Sequence, residues 1–304
     1  MGGTGVTNQT PGRRSRIAAQ RAAAQRTQAR NRLLLAGGAI VAVIAIIVAF
    51  VALGGHGPSG GGAGPASPTG AALERLTAQV TNVPAATTDA VGSGLVTSPP
   101  KPITGAPLTS DGKPEVLYLG AEYCPYCAAE RWAMIVALSR FGTFTGLRAT
   151  HSAAKDGAGN AEPFPNTPTW TFTDSSFTSR YLAFTPVEMN TNIPDPATGG
   201  YTTLQNPTAA QQELLKKYDA AYQGAIPFLD LGNRYLSVGA SYDPSVLAGR
   251  TWSQIGGDLH VASSPVARAV LGSANYLTAA MCGLTHDQPA SACTATVRSL
   301  QARI

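Results

Sequence analysis

Cys124 and Cys127, set in the run Cys-Pro-Tyr-Cys, are the residues of this chain best suited to chemistry. Two thiols three positions apart can cycle between dithiol and disulfide, supply half of a metal site, or form a permanent clip. A structural zinc site needs two more ligands, usually a second closely spaced Cys or His pair. Cys282 and Cys293 are not closely spaced, and His56, His151, His260 and His286 are scattered, so no metal is expected. A redox role needs surroundings that favour the thiolate, since the anion is the nucleophile.

The flanking sequence supplies such surroundings. Val116 to Leu119 form a short apolar strand after the Asp111-Gly112 turn signal. From Pro125 onward, good helix formers carry apolar Trp132, Ile135, Val136 and Leu138, so a helix with a buried face is predicted to begin there. Cys124 then stands at a helix N-terminus, where free N–H groups and the positive dipole end stabilise an anion. Cys127 lies one turn deeper on the same side, in reach of the outer sulfur, and is the expected resolver of a mixed disulfide. Pro125 starts the helix, Tyr126 fills the gap between the thiols, and Glu122 would oppose the thiolate if its carboxylate lay close.

The rest of the chain reads as α/β. A short helix is expected near Ala72, then loop as far as Pro107. Residues 164–189 alternate Thr or Ser with aromatic residues, predicting strands about an Asp174-Ser175 turn, with a substrate groove as the alternative. An amphipathic helix follows Pro207. Phe228 to Leu231 and Tyr235 to Val238 are predicted strands of a hairpin joined by a two-residue turn, Gly232-Asn233. The tail is mostly helical, and Cys282 with Cys293 is expected to form a structural disulfide, a relay-type redox pair being the alternative.

The N-terminus is of another kind. The chain has 22 basic and 17 acidic residues, yet the first acidic residue is Glu74. Seven arginines, from Arg13 to Arg32, precede an uncharged apolar run from Leu33 to Leu53. At 1.5 Å per residue that run reaches about 30 Å, a bilayer core, and the arginines before it orient the N-terminus toward the cytoplasm. The arm is therefore read as a topology signal rather than a nucleic-acid contact; a cleaved signal peptide is the rival, but the apolar run is long for one. The predicted organisation is a basic cytoplasmic arm at 1–32, a transmembrane helix at 33–53, a flexible Gly/Pro/Ser linker at 54–71 and an extracytoplasmic domain at 72–304.

A strand, Cys-Pro-Tyr-Cys, a helix, and later "AIPFLDLGNRYLSVGA" together resemble the thioredoxin fold. The resemblance implies a cis peptide at Ile226-Pro227, with Pro227 facing the two thiols, presenting backbone to a substrate and keeping metals from the dithiol. Pro125-Tyr126 matches glutaredoxins, whereas an anchored exported domain with a long insertion before Pro227 is similar to DsbA-like oxidoreductases. The run "GAEYCPYCAAERWAMIVALSRFGTF" with "SRYLAF" resembles more closely a family of membrane-anchored thioredoxin-like proteins defined as a domain of unknown function. What these resemblances imply is a membrane-anchored thiol-disulfide oxidoreductase, an oxidase or isomerase, using Cys124, Cys127 and Pro227. It would need no cofactor and would act on exported protein thiols or disulfides, with a quinone-linked membrane oxidoreductase regenerating an oxidase. The alternative is a non-catalytic module that binds or assembles a membrane or cell-envelope complex.

Overall fold

The structure is a computed structural model that describes residues 65–219, 222 and 224–304. The predicted arm at 1–32, the span at 33–53 and most of the linker lie outside these residues. Among the described residues, no helix is long and apolar enough to cross a membrane.

The first helix, α1 (Gly70–Thr81), starts two residues before Ala72 and buries Leu76 and Val80. The loop expected up to Pro107 is corrected by α2 (Ala85–Val91) and the short strand β1 (Lys101–Pro102). The reason is tertiary: the Asn275 side-chain amide donates to the carbonyls of Thr88 and Gly92 at 2.7 and 2.8 Å, holding the end of α2 from a distant segment. Next come β2 (Thr109–Ser110) and β3 (Lys113–Gly120), joined by Asp111-Gly112 with both residues in the left-handed region. The long helix α3 (Pro125–Leu138) follows β3 after four residues.

Between α3 and Pro227 the chain builds mostly strands: β4 (Thr143–Thr145), β5 (Arg148–His151), β6 (Pro168–Thr171), β7 (Ser176–Thr178), β8 (Ala183–Glu188), β9 (Asn190–Asp195) and β10 (Gly200–Thr203), then helix α4 (Ala209–Asp219). Strands do flank the Asp174-Ser175 turn, but they do not pair with each other. β6 pairs with β5 and β7 with β4. Last come β11 (Phe228–Leu231), β12 (Tyr235–Val238), a 3-10 turn at Pro244–Leu247, and helices α5 (Trp252–Asp258), α6 (Pro265–Leu284) and α7 (Ala295–Gln301). The β11–β12 loop has three residues, Gly232 to Arg234, because Leu231 pairs with Tyr235. Asn233 adopts a left-handed φ of 57° and its N–H donates to Asp230 Oδ1 at 2.6 Å.

The main sheet is mixed. At its centre β3 runs parallel to β8 on one side and antiparallel to β11 on the other, with β12 and then β1 continuing beyond β11. A parallel neighbour requires a crossover, and α3 lies within the one that connects β3 to β8. Alternation along β3 sorts its side chains: Val116 and Tyr118 join the large core with α3 and α6, while Leu117 and Leu119 join a smaller core with Phe228, Leu236 and residues of α4. Packed against α6 and β6 as well as the sheet core, α3 is buried along its whole length except at Tyr126.

Candidate functional site

The turn from β3 into α3 makes Cys124 the N-cap residue, in extended conformation with φ −73° and ψ 121°. Its Sγ accepts from the backbone N–H of Cys127 at 3.3 Å, taking the capping role usual for a serine or aspartate oxygen. On its other side Sγ lies 3.7 Å from the Ile226 carbonyl oxygen, immediately before the cis bond Ile226-Pro227. Sheet register produces this meeting. Phe228 pairs with Leu119, so Pro227 falls at the end of β3 where the chain turns toward Cys124. Cys124 and the Ile226-Pro227 bond, about a hundred positions apart in sequence, are thereby brought to one point, the cis bond being the one the thioredoxin resemblance implies.

Cys124 is walled in rather than open to solvent, being 4% exposed, and Cys127 is fully buried. Both are free thiols. Tyr126 between them is 39% exposed and meets Phe164 edge to face, with ring centroids 6.3 Å apart. The residues on either side of Cys124 are held by the strand-rich insertion, a contribution that the local motif does not contain. The N–H of Ala153 donates to the Tyr123 carbonyl and that of Glu122 to the Asn190 carbonyl, both at 2.9 Å. The Tyr123 ring stacks on Tyr201 at 4.0 Å, and the Tyr201 hydroxyl donates to Glu162 at 2.5 Å. Glu122 is half-buried and Pro125 is buried at the first helical position.

The two thiols differ electrostatically. Hydrogen bonding with the Cys127 side chain lowers the Cys124 pKa, helped by the N–H groups of Cys127 and Tyr126 and by Arg131, against the opposing effect of burial. Burial and the proximity of Cys124 instead push the Cys127 thiol well up. The outer sulfur therefore holds a negative charge more readily than the inner one.

Beneath the thiols lies a charged pair that spacing arguments do not find. Arg131, one turn after Cys127 on α3, is wholly buried. Its Nε and Nη2 donate to the Glu188 carboxylate at 2.8 and 2.6 Å, and Nη2 also donates to the Ala121 carbonyl at 2.7 Å. Its guanidinium carbon lies 5.7 Å from the centroid of the Tyr118 ring. The neighbouring Glu130 points elsewhere, accepting from Ser241 N–H, Ser241 Oγ and Ser273 Oγ at 2.9, 3.0 and 2.9 Å; burial raises its pKa. Adjacent charges inside the otherwise apolar stretch "AAERWAMIV" were the available signal for both.

Cys282 and Cys293 form the expected disulfide, with Cα atoms 5.9 Å apart, linking the end of α6 to the segment before α7. With Asp287 they make a compact Cys/carboxylate cluster, but sulfurs bonded to each other are not thiolate ligands.

A family model described as "Domain of unknown function (DUF929)" matches residues 101–283, more than half of the chain. No curated protein and no solved structure is significantly similar to it.

Proposed function

The chain belongs to that family of unknown function, and we propose, on the strength of the site, a thiol-disulfide oxidoreductase with a thioredoxin-like core and, on the strength of the apolar sequence 33–53, an anchor that leaves its domain extracytoplasmic. The observation that carries this reading is the Cys124 sulfur, capping α3 and facing the carbonyl that precedes Pro227. The helix α3 in the crossover from β3 to β8, and the cis bond immediately before the β11–β12 hairpin, support this reading.

The exchange runs as follows. With the enzyme oxidised, a client thiolate attacks Cys124 Sγ, the Cys124–Cys127 bond breaks, and Cys127 leaves as a thiolate that takes up a proton. A second client thiolate then attacks the client sulfur of the mixed disulfide and releases Cys124 as a thiolate. Two electrons pass from client to enzyme, and a client disulfide forms. Run in reverse, Cys124 attacks a client disulfide and Cys127 resolves the intermediate. A stabilised Cys124 thiolate favours the reduced enzyme and hence oxidase or isomerase work, with a quinone-linked membrane partner as the electron acceptor of an oxidase.

The near-complete burial of Cys124 favours a second reading, a non-catalytic binding or assembly module on the same scaffold. Redox-buffer titration of the full-length chain separates the two. One reversible dithiol transition, lost in Cys124→Ser, supports exchange. A pair that neither oxidises nor reduces until the protein unfolds supports the module.

A further inference from the structure

The core beneath the thiols holds two unspent hydrogen-bond donors. Arg131 Nη1 and the Tyr118 hydroxyl are both buried and have no partner among the described residues. An unpaired buried donor costs free energy, more when it is charged. Both lie on the side of α3 that faces β3: Arg131 one helical turn past Cys127, Tyr118 on the β3 face that joins the core with α3. A β-carbon added to Gly120 would come within 2.1 Å of the Tyr118 hydroxyl, so that hydroxyl lies against the end of β3, just before the turn to Cys124.

We propose that Arg131, held by Glu188 and assisted by the Tyr118 hydroxyl, is the positioning cation that stabilises Cys127 as a thiolate while its bond to Cys124 breaks or re-forms. This assignment rests on the exchange reading above. Cys127 is fully buried, and without Arg131 a thiolate there would have only the backbone at Ala121 to set against desolvation and the nearby Cys124. The other titratable groups that face it are Cys124 at the cap of its own helix, Tyr118 on β3 and Tyr123 in the preceding turn, while Glu188 on β8 engages Arg131. Of all these, Arg131 alone is a cation. Glu188 fixes the guanidinium by a bidentate contact and at the same time offsets part of its charge, so the pair sets how far Cys127 is favoured.

No added reductant is needed in the step itself. Cys124 attacks a mixed or small disulfide and releases one thiolate. Cys127 then gives up its proton to solvent, attacks Cys124 Sγ, and releases the second thiolate as the intramolecular bond forms.

The test uses the reduced full-length chain and a symmetrical aromatic disulfide, 5,5′-dithiobis(2-nitrobenzoate), which reports each released thiolate by colour. The second release measures attack by Cys127 as a function of pH. Removing both charges in Arg131→Met/Glu188→Gln, which avoids an orphaned buried charge, should move that profile upward by roughly one pH unit, about tenfold slower at neutral pH. Glu188→Gln alone should move it the opposite way, and Tyr118→Phe should raise it slightly. A merely structural pair would not give opposite shifts. Profiles for Arg131→Met/Glu188→Gln and Glu188→Gln that coincide with the wild type, in proteins with unchanged circular dichroism, would overturn the assignment. A wild type that releases one thiolate and never a second would instead overturn the exchange reading.

Discussion

A sulfur in place of an oxygen at the helix cap gives Cys124 its character. An N-cap side chain must accept from free N–H groups, and a thiolate accepts better than a thiol. Alkylation by iodoacetamide should therefore modify Cys124 and leave Cys127 untouched in the folded protein. The Cys124 rate should persist below the pH at which an ordinary thiol, with a pKa near 8.5, falls silent. Equal labelling of both residues, read by peptide mass, would contradict this. Asp230 is perturbed the other way: burial raises its pKa from 3.8 to about 6, and its Oδ2 has no partner among the described residues. A carboxyl that holds its proton more tightly when folded favours the folded state most at low pH, and that advantage is lost as pH rises from about 4 to 6. The loss is on the order of 3 kcal/mol. Asp230→Asn, whose amide oxygen can still accept from Asn233 N–H, should raise the urea midpoint at pH 7 and flatten its change between pH 4 and 6.

At the scale of elements, α6 has one position with no room for a side chain. Gly272 touches the chain beyond α2 so closely that an added β-carbon would lie 2.7 Å from the Ser93 carbonyl oxygen and 3.1 Å from Gly94 Cα. Those atoms are backbone and cannot rotate away. Gly272→Ala should therefore lower stability by about 1 to 3 kcal/mol, measured by denaturant unfolding, although alanine is the better helix former. The elements that local pattern can announce were legible: β3, α3 from Pro125, and the strands β11 and β12 at their observed bounds. The cis bond at Ile226-Pro227 came only from the thioredoxin resemblance, not from local pattern. The bond from Asn275 to α2, the pairing of Arg131 with Glu188 and the cover over Cys124 were not legible. Each depends on partners dozens of residues away or more, contributed by segments whose own composition gives no sign of the contact.

For the whole molecule, the C-terminal disulfide and the paired thiols at α3 divide the cysteine chemistry. The Cys282–Cys293 bridge closes a short loop and, in the chain-entropy picture, should contribute about 3 kcal/mol. Cys282→Ala/Cys293→Ala should lower the unfolding midpoint accordingly while leaving the pH profile of Cys124 alkylation unchanged. A shifted profile would mean that the two pairs communicate. The insertion between α3 and Pro227 does more than lengthen the chain, since its contacts hold Glu122 and Tyr123, the two residues before the outer thiol.

The three donors gathered on Glu130 have a consequence for motion. One carboxyl group on α3 fastens both the Ser241 segment beyond β12 and Ser273 on α6, so neither can open without stranding buried polar oxygens in the interior. Amide protons of α3, α6 and the residues around Ser241 should then exchange with deuterium in a single cooperative opening rather than by separate fraying. Glu130→Gln should split that event into smaller ones.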